Sequence, residues 1–234
     1  YNFKKGDGFR PNSNFQSDNL YSYLGWKLNN KINFSFELTY LNYLAQQPGG
    51  LTDSMFNLDM FQSNRERNWF EINWLLYNLK TNFSLSNSTE IIFSAFALDA
   101  SRNSIGFRSN RVSQIDSNQE RDLIKSDFDN IGFETKMTHQ YSLLNKQSTL
   151  LLGQKFFKGN TLNIQGPGSS GSDANFNFFD DLFPNYENQS NYQNPNINTA
   201  LFLENIIYLN SKMSIVPGLR YEYIQTKSDG YYRE

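Results

Sequence analysis

The segment KINFSFELTYLNYL (residues 31–44) alternates apolar and polar side chains almost without a break. Apolar residues occupy every second position from Ile32 to Tyr40, and polar residues such as Glu37 stand between them. Because successive side chains of a β-strand point to opposite faces, this period of two predicts a strand with one apolar and one polar face. The alternation stops just before the turn-forming Pro-Gly-Gly at 48–50, where the strand is predicted to end.

Seven other segments have similar strand character. We predict eight strands in all, over residues 19–28, 31–45, 67–82, 88–101, 126–141, 148–158, 197–209 and 213–227. In NWFEINWLL (68–76) an apolar set opposes Glu71 and Asn73, and the set consists of Phe70, Ile72, Trp74 and Leu76. IIFSAFALDA (91–100) is apolar on both faces, so its orientation is not assigned.

The connections between these strands alternate in length. The short connections are 28–31, 84–89, 143–148 and 209–212, and the long ones are 46–66, 102–125 and 159–196. Transmembrane barrels of the outer membrane have short periplasmic turns and long extracellular loops. We therefore predict an all-β, antiparallel transmembrane β-barrel whose apolar strand faces contact lipid and whose polar faces line the lumen. The end segments 1–18 and 228–234 are predicted to be loops on the extracellular side, as in a middle section of a larger barrel.

The composition excludes several other functions. Hydrophobic residues make up 38% of the chain but aromatic residues 16%, which suits a sheet that is apolar on one face only. A net charge of -2 gives no reason to expect nucleic acid as a partner. The chain has no cysteine, and His139 is its single histidine, so thiol catalysis and a histidine-cluster metal site are excluded. No catalytic set of residues is recognisable, and we expect neither enzyme activity, nor a metal site, nor a cofactor.

Four segments carry a resemblance to a known family. They are QQPGGLTDSMF (46–56), FQSNRERNWFEINW (61–74), FALDASRNSIGF (96–107) and SIVPGLRYEY (214–223). In order and spacing they resemble the barrel of TonB-dependent outer-membrane receptors, and most of all the ferric citrate (dicitrate) receptors. The resemblance covers residues 10–227.

This resemblance implies a fold, a location and a set of partners. The family forms a barrel of about 22 strands in the lipid of the bacterial outer membrane, with an N-terminal plug domain in the lumen. It implies active uptake of a ferric siderophore or a ferric citrate-like chelate, driven through TonB. Residues 1–234 would then be one partial barrel domain, with the plug and the TonB-contacting segment outside it.

The resemblance also selects arginines as candidate ligand contacts. Ferric citrate carries excess negative charge, and the planar fork of arginine pairs well with carboxylates. Arg102 and Arg121 match ligand-facing arginines of the ferric citrate receptors, and Arg65 matches a family arginine. Arg108 belongs to the same segment, 102–125, which has five basic residues against three acidic ones. The alternative is that these arginines pair with neighbouring acidic groups.

Two further features modify this reading. No lysine or arginine lies between Lys158 and Lys212, so the loop 159–196 lacks the cationic contact that the resemblance implies. Its aromatic residues suggest a larger, less charged chelate or a closing lid, or they pack the loop on itself; they are Phe176, Phe178, Phe179, Phe183, Tyr186 and Tyr192. Arg220 is predicted to face the lumen and to pair with a carboxylate of the plug or the wall.

Three alternative functions stay open at this point. One keeps TonB-dependent uptake but changes the cargo to cobalamin, another metal chelate or a glycan. Another is a passive, porin-like channel with an open lumen. The third is a soluble β-rich adhesin or fibre protein, which would pack its apolar strand faces against each other.

Overall fold

The computed structural model of the chain describes residues 1–109, 111–179 and 189–233. These residues form one antiparallel sheet of 11 strands, ordered along the sheet as in the sequence up to β8, with β10 beside it. The strands are β1 (Asn2–Gly6), β2 (Phe15–Lys27), β3 (Ile32–Gln46), β4 (Trp69–Ser86), β5 (Thr89–Gly106), β6 (Asp122–Leu143), β7 (Lys146–Pro167), β8 (Ser190–Tyr208), β9 (Ser214–Ile215), β10 (Gly218–Thr226) and β11 (Asp229–Tyr232). The all-β antiparallel prediction is confirmed.

The predicted alternation of short and long connections is also confirmed. β4 and β5 are separated by two residues, and so are β6 and β7. In the second of these turns Leu144 and Asn145 have φ of 52° and 57°, which is the geometry of a type I′ hairpin. At the opposite end lie loop A (47–68), loop B (107–121) and loop C (168–189). Loop A contains the one helix of the described residues, α1 (Asp53–Leu58), which begins after the N-cap residue Thr52.

The strands are longer and more numerous than the sequence predicted. β6 begins at Asp122 and β7 continues to Pro167, so loop C is shorter than the predicted loop 159–196. The predicted end loops also contain strands, since β1 pairs with β2 and β11 pairs with β8. The reason is that ladder hydrogen bonds join backbone groups and continue beyond the point where side-chain alternation stops.

The strand register sorts the side chains onto two faces, because directly paired residues lie on the same face. Phe36 pairs with Leu79, which pairs with Ala95, which in turn pairs with Phe133. We call the face that carries these four residues the outer face and the opposite one the inner face. The outer face holds an apolar belt, which includes Leu24, Trp26, Ile32, Phe34, Phe36, Leu38, Tyr40, Leu75, Tyr77, Leu79, Phe83, Ile91, Phe93, Ala95, Ala97, Ile131, Phe133, Met137, Leu152, Leu203, Leu219 and Tyr221.

The belt has the height of a membrane interior and is open to its surroundings. Ile32 to Tyr40 covers about 26 Å along β3 at the usual strand rise, close to the roughly 25 Å band of outer-membrane barrels. Trp26 and Leu219 are 70% and 75% exposed, and the described strands lie in a single layer. A soluble sandwich would bury these side chains under a second sheet, so this architecture speaks against the adhesin alternative.

One orientation predicted from the sequence is wrong. The apolar set in 68–76 was expected to face lipid, but Ile72 pairs with Tyr43 and Leu76 with Thr39, which places the set on the inner face. The cause is the pair Trp74-Leu75, two successive apolar residues. From sequence alone, either residue could begin the apolar face that β4 contributes to the belt, and the register shows that it is Leu75. The register also orients the unassigned segment 91–100, where Phe93 faces outward with the belt.

Along the height of the belt the inner face is more polar than the outer face, although the stacked rings of Phe96 and Phe157 and the ring of Phe202 also lie on it. The inner face carries Ser35, Glu37, Asn78, Lys80, Glu134, Lys136, Arg220 and Glu222. Arg220 and Glu222 form an ion pair of 2.9 Å, as expected for a wall carboxylate partner. Among the described residues, no helix is both long and apolar enough to cross a membrane.

Candidate functional site at the loop end of the sheet

Arg65 joins loop A to loop B. Its guanidinium donates to the carbonyl oxygens of Gln114 and Val112, at 3.1 and 3.3 Å, and to the Oγ of Ser109 at 2.7 Å. Its Cζ also lies 5.1 Å from the centre of the Phe107 ring. Arg65 is 6% exposed, so the structure places this predicted ligand contact inside the loop packing.

Arg67 was not among the predicted site residues, yet it makes contacts to both neighbouring loops. Its Nε and Nη2 donate to the two carboxylate oxygens of Asp116 in loop B, at 2.8 and 2.5 Å. Its Nη1 donates to the carbonyl oxygens of Gln119 in loop B and Ser170 in loop C, at 3.2 and 2.6 Å. Such bidentate pairs are among the strongest charge-assisted hydrogen bonds in proteins.

Asp116 is kept ionised by this arrangement. Burial acts to raise the pKa of Asp116, but the hydrogen bond from Arg67, the backbone bond from Asn118 and the charges of Arg67 and Arg65 outweigh it. The net pKa of Asp116 is therefore lower than that of an ordinary aspartate. The carboxylate is thus a fixed anion that pairs with the guanidinium of Arg67 and lies within the electrostatic influence of Arg65.

Arg121, the last residue of loop B, is completely buried, with 0% exposure, and contacts loops A and C. Its Nε and Nη2 donate to the carbonyl oxygen and Oγ of Ser169, at 2.8 and 2.7 Å. Its Nη1 donates to the carbonyl oxygens of Arg67 and Asp173, at 2.9 and 2.8 Å, and its Nη2 lies 3.6 Å from the Asp173 carboxylate. Burial lowers the pKa of Arg121, although the charge of Asp173 opposes the shift.

A small core on the outer face, above the belt, packs against loop C, which supplies Ser169 and Asp173 as partners of Arg121. Ile105 and Leu123 pair with each other on that face and are 1% and 0% exposed. Loop C covers them closely, because a Cβ on Gly168 would lie 2.6 Å from Ile105 Cδ1. The Trp69 Nε1 donates to the carbonyl oxygen of Ser172 on the same flank, at 2.8 Å. Residues 168–172 of loop C therefore fold against the outer face of the sheet.

Arg102 and Arg108, the other two predicted contacts, are in a different environment. Both side chains are exposed, and neither forms a hydrogen bond or an ion pair with the described residues. Arg102 pairs with Ile72 and Ser126, so it lies on the inner face, with its Cζ 5.9 Å from the Phe128 ring centre. Arg108 lies in loop B. These two arginines are the cations of the predicted set that an anion can still approach.

A cavity of about 340 Å³ lies between loops A and B, and Arg65, Arg67 and Asp116 are among its lining residues. Since both guanidinium groups are bonded to protein acceptors, the described part of this cavity presents no unpaired cation. Among the described residues, no group of three or more acidic or histidine side chains is placed to hold a metal ion. The structure thus separates the four predicted arginines into two buried loop contacts and two exposed groups.

Sequence reasoning missed Arg67, Asp116 and Asp173. The RER motif of loop A was a usable signal, because Arg65 and Arg67 stand two positions apart, but nothing in the sequence identified their acceptors, most of which are backbone carbonyl groups. Of the predicted aromatic residues of loop C, Phe183 and Tyr186 lie outside the described residues.

Comparisons with known proteins agree with this geometry. A family model described as "TonB dependent receptor-like, beta-barrel" matches residues 2–234. Among curated proteins no match was found. The unliganded ferric citrate transporter FecA superposes with a TM-score of 0.76 at 17% identity, over 94% of this chain and 31% of the FecA chain. BauA, the ferric preacinetobactin receptor from Acinetobacter baumannii, superposes with a TM-score of 0.72 at 9% identity, over 98% and 38%.

At these sequence identities the superpositions show a shared fold and do not show a shared ligand. This chain spans 31% and 38% of the lengths of the two solved chains. The match of the family model covers almost every residue, and the sheet, the apolar belt and the loop pattern are those expected of such a barrel. The chain belongs to the TonB dependent receptor-like β-barrel family.

Proposed function

We propose that this chain forms part of the wall and of the extracellular rim of an outer-membrane receptor for TonB-dependent uptake of a ferric chelate. The apolar belt contacts outer-membrane lipid, and loops A, B and C lie at the cell surface. The receptor binds and transports its ligand without changing it chemically. The plug and the TonB contact belong to other parts of the receptor.

The observation that carries this proposal is the division of one continuous sheet into an apolar outer face and a mostly polar inner face, with all the long loops of the described residues at one end. Water-filled barrels in a membrane need this division. The family match adds TonB coupling, and both solved relatives are named for ferric chelates, citrate in one case and preacinetobactin in the other.

Within this function we assign the ligand contacts to the exposed cations. Arg102 stands on the inner face, where a ligand in the lumen can reach it, and Arg108 extends from loop B. We assign Arg65 and Arg121 to holding the loops, because their donors are already bound to protein acceptors. This assignment narrows the set of four arginines expected from the sequence.

The test is uptake of radioactive iron by cells that carry the full-length receptor and lack other iron receptors. We expect uptake of at least one ferric chelate, and we expect deletion of TonB to abolish it. Uptake that persists without TonB would instead indicate a passive channel. Absence of uptake for every ferric chelate, together with uptake of cobalamin or a glycan, would contradict the proposed cargo.

A further inference from the structure

A groove lies on the outer face where the apolar belt ends on the side of the loops. It has a volume of about 350 Å³, and Tyr77, Ala97 and Ile131 form its wall on the side of the belt. The recess exists because the small Ala97 stands between two large side chains, and Ile131 is 54% exposed, so the recess is open to the surroundings of the sheet. We call it the outer groove; its polar lining consists of Asp99, Asp129, Asn160 and Lys158.

Two carboxylates stand next to each other on the loop side of the outer groove. Asp99 and Asp129 are directly paired across β5 and β6 on the outer face, which places their Cβ atoms about 5 Å apart. Neither side chain has a hydrogen bond or an ion pair with a described residue. Like charges directly opposite each other destabilise a sheet, and the repulsion is stronger next to the apolar belt than in bulk water. A cationic group between the two carboxylates would relieve this repulsion.

Asn160 indicates which kind of cation fits between them. It pairs with Asp129 on the outer face, and its Oδ1 is buried without a hydrogen-bond partner among the described residues. Three acceptors that lack donors match a group with several N–H donors, and a primary ammonium group has three. In the described part of the chain, no three acidic or histidine side chains are placed to hold a metal ion, so a metal bound by protein groups alone does not fit.

Lys158 places a positive charge at the edge of the same groove. It pairs with Ile131 on the outer face, two residues before Asn160 on β7. Its side chain is exposed and has no hydrogen bond or ion pair with a described residue. A lysine ammonium binds phosphate as a point charge. The outer groove therefore presents acceptors for an ammonium group, a cation for a phosphate group and an apolar wall for hydrocarbon.

We propose that the outer groove binds one molecule of phosphatidylethanolamine from the surrounding membrane. Its ammonium group lies between Asp99 and Asp129, its phosphate contacts Lys158, and an acyl chain packs against Ala97 and Ile131. The inference rests on the proposed function, because it requires lipid at the outer face, and it adds a defined headgroup site to that function.

Charge complementarity selects this lipid over the other phosphate-bearing lipids. Phosphatidylglycerol and unmodified lipid A carry phosphate but no ammonium group, so their anions would lie beside two unpaired carboxylates. The bound lipid would also keep Lys158 from having to pair with Asp129, which lies diagonally across from it on the neighbouring strand.

The experiment is native mass spectrometry of the purified full-length receptor, stripped of lipid in detergent and titrated with dioleoyl phosphatidylethanolamine, dioleoyl phosphatidylglycerol or lipid A. We expect one phosphatidylethanolamine to bind about tenfold more tightly than phosphatidylglycerol. The double variant Asp99→Asn with Asp129→Asn should lose this preference. Lys158→Gln should weaken the binding of both phospholipids severalfold, because it removes the phosphate contact, and Ala97→Phe should prevent binding by filling the recess.

The matched control is Glu71→Gln, which changes a carboxylate on the outer face outside the groove and should leave lipid binding unchanged. Heat-modifiable migration on gels shows that each variant is folded. Equal binding of the two phospholipids by the unaltered receptor, or an unchanged preference in the double variant, would overturn the inference. Unchanged or tighter phosphatidylethanolamine binding in Lys158→Gln would also overturn it, by showing that Lys158 only pairs with Asp129.

A third result against the inference is tight binding of lipid A that requires magnesium ions. It would indicate a metal ion that bridges the carboxylates to a phosphate, in place of an ammonium group. TonB-dependent iron uptake separates this inference from the proposed function. Absence of the lipid preference with uptake intact would remove the inference alone, whereas absence of uptake for every ferric chelate would remove the proposed function.

Discussion

The Nη1 atom of Arg121 donates a 2.9 Å hydrogen bond to the backbone carbonyl oxygen of Arg67, whose own guanidinium pairs with Asp116. One buried arginine therefore positions the backbone of another. Through this relay loops A, B and C are joined at a point outside the lumen, next to the Ile105–Leu123 core. We interpret the relay as the structural support of this part of the rim.

Replacing Arg121 should loosen the rim without unfolding the sheet. Arg121→Ala leaves the carbonyl oxygens of Arg67 and Asp173 without their guanidinium donor, and leaving such acceptors unpaired costs about 1–3 kcal/mol. We expect amide hydrogen exchange to accelerate in residues 168–173 and in loop B, with little change in β3 to β5. Arg108→Ala is the control, because Arg108 is exposed. Equal exchange in the two variants would show that Arg121 does not hold the loops.

The rim should also open in acid through Asp116. Its folded pKa is lowered, so its contribution to stability is complete above the unfolded value of about 3.9 and is lost as the pH falls through the folded value. Hydrogen exchange of loop B, corrected for intrinsic rates, should therefore accelerate only below about pH 4.

Asp116→Asn provides the control for that pH dependence. It removes the charge at every pH, so we expect exchange in loop B to be faster at neutral pH and nearly independent of pH in acid. A wild-type acid transition that persists unchanged in Asp116→Asn would assign the transition to another carboxylate.

A close contact on the inner face should make Gly153 difficult to replace. Gly153 pairs with Phe202, and a Cβ at Gly153 would lie 2.0 Å from Phe202 Cζ. Gly153→Ala should destabilise the receptor by about 1–3 kcal/mol in denaturant unfolding, the usual cost of overpacking. Phe202→Leu should remove most of that cost, whereas additive effects of the two changes would contradict the contact. Gly218→Ala is a matched control, since its Cβ would be 3.2 Å from Cγ of the Glu204 side chain, a longer distance than that to Phe202.

The sequence predicts the fold well because alternation within the belt is a direct consequence of lipid on one face and water on the other. It predicts the strand ends poorly, since the beginning of β6 at Asp122 and the end of β7 at Pro167 lie beyond the apolar belt, where the side chains do not follow its alternation. β1 is not predicted for a similar reason, because its sequence NFKKG does not form an apolar face. The face of β4 that carries Phe70, Ile72 and Trp74 is mispredicted because Trp74 and Leu75 are both apolar, so the alternating pattern can be continued through either residue.

The candidate site is less predictable from sequence. A resemblance selects arginines by position, but whether a guanidinium is free depends on acceptors far away in the sequence. Arg121 is bound by Ser169 and Asp173 of loop C, and Arg65 by loop B, while the side chain of Arg102 is exposed on the inner face. The ligand roles of these arginines stay predictions until binding is measured.

The account depends most on which face of β4 contacts lipid. The direct measurement is spin labelling of single cysteines from Leu75 to Lys80 in the full-length receptor in lipid bilayers, for which the absence of native cysteine in this chain is favourable. We expect collision with oxygen, which is enriched in lipid, to peak at Leu75, Tyr77 and Leu79. Collision with a water-soluble nickel complex should peak at Leu76, Asn78 and Lys80. The opposite phase, or no alternation at all, would contradict the assignment of the two faces and with it the inner position of Arg102.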